Sequence, residues 1–206
     1  MRTVLLILAV ILAAGVSACK QSGDTAGGSG DFRDAKWGMT KDEVKASEKL
    51  PLSDELPEAI TYISELGGKP AIIGYVFNKD GKLVRAGYLV EDEQIPPQDY
   101  VAAFDKAKKD MGVRLGMPST DRMLWTSGVQ DVTDPEKFGE ATCEGKMRYI
   151  AGWANERSAI NLTLSGYEGK CRLAAMYDSI DFYVLPAILE RSANKSAQPT
   201  PGPDAE

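Results

Sequence analysis

The sequence predicts an α+β fold built as two approximate halves, each a helix followed by an antiparallel meander. Three observations predict it. Thr40-Lys41-Asp42-Glu43 carries the capping-box pattern, a Thr at the N-cap and a Glu three residues later, which opens a helix. Residues 59–66, 71–78 and 82–90 are aliphatic and aromatic runs of strand length, separated by turn residues. A second helical pattern then precedes another set of strand-length runs.

The first helix is expected to run to about Leu50, with Val44 facing the core and Trp37 and Met39 packing at its entrance. Gly67-Gly68 and Asn78-Lys79-Asp80-Gly81 are the turns of a three-stranded meander, because Gly and Asn accept the positive φ of tight hairpins. Pro96-Pro97 opens the second helix, from about Gln98 to Leu115. Its apolar stripe of Tyr100, Phe104, Ala107, Met111 and Leu115 recurs at spacings of 4, 3, 4 and 4. Gly116 and Pro118 close it. A short strand is expected at Met123–Thr126, a long loop over 128–145, and strands at 147–155, 158–164 and 171–178. Asn155-Glu156-Arg157 turns the first pair, and a short helical piece is expected around 181–191.

The domain organisation is set by the ends. Residues 1–18 read as a signal peptide: Met1-Arg2 is a short positive n-region, and Thr3–Val16 is uncharged but shorter than the roughly 20 apolar residues of a membrane span. After Cys19, residues 20–31 (KQSGDTAGGSGD) are expected to form a flexible tether with a reach of roughly 20 Å. Residues 32–191 are expected to form one domain, with halves at 32–95 and 96–191, and the Pro-rich stretch 192–206 reads as a disordered tail.

Composition excludes several function classes. The formal charge of −6 becomes about −7 once Arg2 leaves with residues 1–18, an acidic balance that argues against a nucleic-acid partner, which wants a basic patch. The chain has no histidine. That removes Ser-His-Asp and Cys-His catalysis and the usual zinc ligand, so neither an enzyme, a cofactor nor a metal is expected. Beyond Cys19, Cys143 and Cys171 are an even pair in a chain expected to be exported, and are expected to form a disulfide.

Other clusters read as structure. Asp42, Glu43 and Glu48 lie on or near one helix, and Glu91-Asp92-Glu93 is an acidic run without the alternating spacing of a calcium loop. Ser165-Gly166-Tyr167-Glu168-Gly169 lacks the Lys-Ser/Thr pair of a phosphate loop. Trp37, Trp125 and Trp153 are candidates for an exposed binding face, because aromatics dominate interaction hot spots, with core filling as the alternative.

Two segments carry resemblances. Val16-Ser17-Ala18-Cys19 resembles the bacterial lipobox, which implies a lipid on the Cys19 sulfur, cleavage before it and membrane anchoring. Lys20 in place of Asp then implies sorting to the outer membrane, facing the periplasm. Trp37-Gly38-Met39-Thr40-Lys41-Asp42-Glu43-Val44 resembles the W-G-x-S/T-x-x-D/E-V segment of a recurrent domain of bacterial envelope proteins. Leu115-Gly116-Met117-Pro118, and Trp153 ahead of Ile160-Asn161-Leu162, match its second part. The helix-then-meander order is similar to the BLIP and OmlA-like architecture, which includes an assembly lipoprotein of the SmpA/OmlA type and a β-lactamase inhibitor. Most proteins with this resemblance are lipoproteins or secreted proteins of unknown function, and the expectation for this chain is a non-enzymatic lipoprotein that binds or supports another envelope protein through its sheet face or an edge strand. The alternative is an inhibitor of a periplasmic enzyme or a small-molecule binder. No functional residue is carried over.

Overall fold

The computed structural model describes residues 28–182 except 129 and 131. The expected signal peptide, Cys19, most of the 181–191 segment and the 192–206 tail lie outside the described residues. In chain order the elements are α1 (Lys41–Ser47), β1 (Leu52–Leu56), β2 (Ala59–Leu66), β3 (Lys69–Phe77), β4 (Leu83–Val90) and α2 (Pro97–Leu115). Then come β5 (Thr120–Trp125), a 3-10 turn (Pro135–Lys137), α3 (Phe138–Cys143), β6 (Met147–Ala154), β7 (Ser158–Tyr167) and β8 (Lys170–Ser179). The fold is α+β and mostly sheet.

All eight strands join one antiparallel sheet in the order β1-β2-β3-β4-β8-β7-β6-β5. Two four-stranded meanders thus meet where β4 lies beside β8, with Tyr88 opposite Ala175. The predicted turns hold their hairpins. Asn78 accepts from the backbone N–H groups of Asp80 and Lys82 at 3.0 and 2.9 Å, and Gly81 takes φ 70°. Glu168 and Gly169, both at positive φ, make the two-residue turn between Tyr167 and Lys170.

Side chains alternate along each strand, and one parity is buried. Ile60, Ile73, Tyr88, Leu173, Leu162 and Ala151 form a single cluster with Val44 of α1 and with Tyr100, Phe104, Ala107 and Met111 of α2. The stripe of α2 is therefore core, as its spacing predicts.

Five expectations change. First, α1 ends at Ser47, because Glu48 turns extended and sends its carboxylate into the interior. Second, β1 was not foreseen: all five of its residues are exposed, so it has no apolar alternation to read. Its edge is held by pairing with β2, by Lys41 Nζ donating to the Leu56 carbonyl at 2.8 Å and by a Lys45–Glu55 ion pair at 2.6 Å. Third, β5 begins at Thr120, three residues ahead of its expected start. Fourth, the expected loop at 128–145 contains the 3-10 turn and α3. The helix packs against the start of α2 through Gly139, where a Cβ would stand 2.4 Å from the Pro97 carbonyl carbon.

Fifth, the fold begins before residue 32. The Asp31 carboxylate accepts from the Trp37 backbone N–H at 2.8 Å and pairs with Arg157, so the last residues of the expected tether are part of the domain.

Candidate functional site

The three tryptophans do not make a common exposed face. Trp37 and Trp153 are 6% and 5% exposed. Each indole N–H has a partner at 2.9 Å, Ser158 Oγ for Trp37 and the Gly116 carbonyl for Trp153, and this satisfied donor makes burial cheap. Trp125 is half-buried edge-on to Phe138, ring centres 6.0 Å apart. The first two belong to the core, so the core-filling alternative holds for them.

Cys143 and Cys171 lie with their sulfurs 2.09 Å apart and Cα atoms 4.3 Å apart, the distances of a disulfide. The bridge ties the end of α3 to the first residues of β8. It adds a covalent link between the segment after β5 and the centre of the sheet.

Of the carboxylates that the sequence offers for acid–base work, Glu48 is buried and occupied. Glu48, with its side chain 3% exposed, accepts from Arg33 at 2.9 and 3.1 Å and from the Tyr75 hydroxyl at 2.7 Å. It also accepts from the Lys49 and Leu50 backbone N–H groups at 2.8 and 3.2 Å. Burial alone would raise its pKa, but the Tyr75 hydroxyl and the Arg33 guanidinium outweigh burial and hold it below the ordinary carboxylate range. Burial, and then the Glu48 charge, push the Tyr75 hydroxyl far up, and the Arg33 guanidinium stays charged. A carboxylate with five donors on two oxygens has no lone pair left for a substrate proton.

Glu43 closes the capping box on Thr40. Asp42 is solvent-exposed on the first turn of α1. Glu91 pairs with Arg172 at 2.9 Å and Glu93 with Lys170 at 2.5 Å.

The other face of the sheet remains open. Register places Ile63 opposite Ile72, Ile72 opposite Leu89, Leu89 opposite Ala174, Ala174 opposite Thr163, and Thr163 opposite Ile150. This row crosses six strands on the parity opposite to the core. Ile63 is 57% exposed and Ile72 46%, which is uncommon for β-branched apolar residues in a sheet. The adjacent row runs Thr61, Gly74, Gly87, Met176, Asn161 and Gly152. Gly74 lowers the floor beside the apolar ridge, since a Cβ there would meet nothing within 4 Å, whereas Met176 and Asn161 lie close over Gly87 and Gly152. A depression of about 340 Å³ lies at the β2–β3–β4 end, lined by Ile63, Pro70, Ile72, Leu89, Glu91 and Asp92.

In the next row on the same face, opposite the apolar one, Arg85 and Asp178 form a cross-strand ion pair. The face is therefore a shallow apolar band with charged borders.

The sequence points to a sheet face or an edge strand as the contact surface, but not to the residues of this face. Its signal was present as alternate apolar residues: Ile63 beside Tyr62, Ile72 beside Ile73, and Leu89 beside Tyr88 and Val90. Strands apolar on both parities read as wholly buried, and only the sheet's neighbours decide which side is covered. Among the described residues no helix is long and apolar enough to cross a membrane. No protein-family model, no curated protein and no solved structure matches the chain.

Proposed function

We propose that this chain is a non-enzymatic, lipid-anchored envelope protein that binds another envelope protein across the open face of its sheet. The observation that carries the reading is the row from Ile63 to Ile150, in which Ile63 and Ile72 are exposed and Leu89, Ala174, Thr163 and Ile150 half-buried, with charged residues at its borders. Apolar surface of that extent costs free energy in water and gains it on contact with a partner. The lipobox-like Val16–Cys19 segment supports the anchor on Cys19, in the outer membrane and facing the periplasm. The absence of histidine and the fully engaged Glu48 support a binding role over catalysis.

The finer architecture belongs to the same reading. α1 with β1–β4 and α2 with β5–β8 are two halves of the BLIP/OmlA-like plan. The mirrored strand order about the β4–β8 contact, and the shared core cluster of α1, α2 and the sheet, support that view.

The test is a photo-crosslinking residue at Ile72 in intact cells. One dominant crosslinked envelope protein, reduced at least tenfold by Ile63→Asp, is expected. A crosslink pattern unchanged by that substitution would remove the face from the reading. The anchor is checked separately with Cys19→Ser, which should abolish labelling by a fatty-acid analogue.

A further inference from the structure

We propose that the end of the domain where α2 closes rests on the bilayer that holds the anchor, with Val113 and Met117 entering its headgroup layer. The inference depends on the reading of Cys19 as lipidated and adds which way the domain stands.

Three observations lead there. The first is where the chain enters the domain. The Asp31 carboxylate accepts from Arg157, in the β6–β7 turn, at 2.6 and 2.9 Å. Gly28 and Gly30 line, with Arg114 and Leu115 at the close of α2, a depression of about 450 Å³. The start of the described chain is therefore pinned where α2 ends and β7 begins. Cys19 stands nine residues before Gly28, a separation that covalent geometry limits to about 30 Å. β7, ten residues and roughly 30 Å long, runs from this end to the other. A lipid on Cys19 thus holds the α2-closing end, and not the opposite one, nearest the bilayer.

The second is the apolar surface at that end. Val113, in the last turn of α2, is 81% exposed, and Met117, just past the Gly116 cap, is 93% exposed. They are the two most exposed large apolar side chains among the described residues. Ile180, 54% exposed, lies at the same end, its N–H donating to the Arg157 carbonyl at 3.0 Å. Single exposed apolar residues are ordinary on a protein surface, but these share the end that the anchor serves.

The third is charge. Around the depression Asp31 pairs with Arg157, and the exposed Glu156 offsets one further cation, so apolar contact decides there. Lys109, one turn before Val113, and Arg114 have no ion pair among the described residues. Their stems can lie along the apolar layer while their heads stay among the phosphates. The opposite end gathers Glu91, Asp92, Glu93 and Glu168 around Lys170, a carboxylate-rich rim that phosphates repel. Docked in this way, the strands rise from the bilayer and the open sheet face is free at the side.

The test places a photo-crosslinking residue at Met117 in the lipidated full chain, held in phosphatidylcholine vesicles. Tyr167, 74% exposed at the far end of β7, carries it in the comparison protein. Lipid adducts at 117 are expected to exceed those at 167 at least fivefold. Val113→Asp should lower the adducts at 117 at least threefold, with fatty-acid labelling of Cys19 unchanged. Equal adducts at the two sites, adducts indifferent to Val113→Asp, or crosslinks from 117 only to a second copy of the chain would overturn the docking while the label leaves the anchor standing. Absence of the label removes the anchor, and the docking falls with it.

Discussion

Replacing Phe32 with alanine tests how far the N-terminal segment is built into the domain. The ring is 1% exposed and sits among three tyrosines from three strands. Its centre is 5.4 Å from Tyr75 of β3, 5.2 Å from Tyr88 of β4 and 5.0 Å from Tyr177 of β8. It therefore bridges the contact between the two meanders, which β4 and β8 form. A buried Phe→Ala change costs about 3–5 kcal/mol, and each well-placed ring pair adds about 0.5–1.5 kcal/mol beyond area burial. With three ring neighbours and no flexible side chain to refill the space, about 4 kcal/mol is the expected loss. Against a total of about 5–15 kcal/mol this is a large share. For a domain of this size it lowers the melting temperature by about 8–16 °C.

The assay is thermal unfolding followed by circular dichroism, with Lys36→Ala, an exposed site in the same segment, as control. A Phe32→Ala melting temperature within about 2 °C of the parent, far below the expected shift, would show that the segment before α1 is not docked as described. The reasoning for the tie at Asp31 would fall with it.

Three further outcomes are expected. The double variant Cys143→Ser with Cys171→Ser should lose roughly 3–4 kcal/mol by urea titration, the loop-entropy value for a separation of 28 residues, and should no longer respond to reductant. Glu48, and Asp31, whose Arg157 and Trp37 contacts outweigh the effect of burial, titrate below their ordinary values. Their contribution is thus present above the unfolded carboxylate range and lost as pH falls through the lower folded values. A Glu48→Gln variant, unfolded by urea at pH 7 and at a series of lower pH values, should be less stable at pH 7 and show a shallower acid loss. Gly74→Ala should change stability by less than about 0.5 kcal/mol, since the site opens to solvent. Gly87→Ala should cost about 1–3 kcal/mol, because its Cβ would stand 2.4 Å from the Ala175 carbonyl oxygen. Equal urea midpoints for these two variants would contradict the difference in their surroundings.

Local chemistry is what the sequence by itself determined. Thr40 with Glu43 fixes the start of α1, the stripe from Tyr100 to Met111 fixes the buried side of α2, and the Asn78–Gly81 turn fixes the β3–β4 hairpin. These signals act between residues a few positions apart, so they survive without knowledge of the fold. The pairing of Cys143 with Cys171 comes from counting.

Only the tertiary structure decided the rest. β1 has no buried residue, and its pairing with β2 is its reason to be a strand. α3 is six residues long, too short for a helical period, and is held by Gly139 against α2. Trp37 and Trp153 become core because Ser158 and Gly116, distant in sequence, accept their N–H groups. Ile63 and Ile72 become a surface because β2, β3 and β4 turn their other parity toward the helices. Alternation tells which residues share a face of a sheet, but which face meets the rest of the protein is set by packing between segments far apart in the chain.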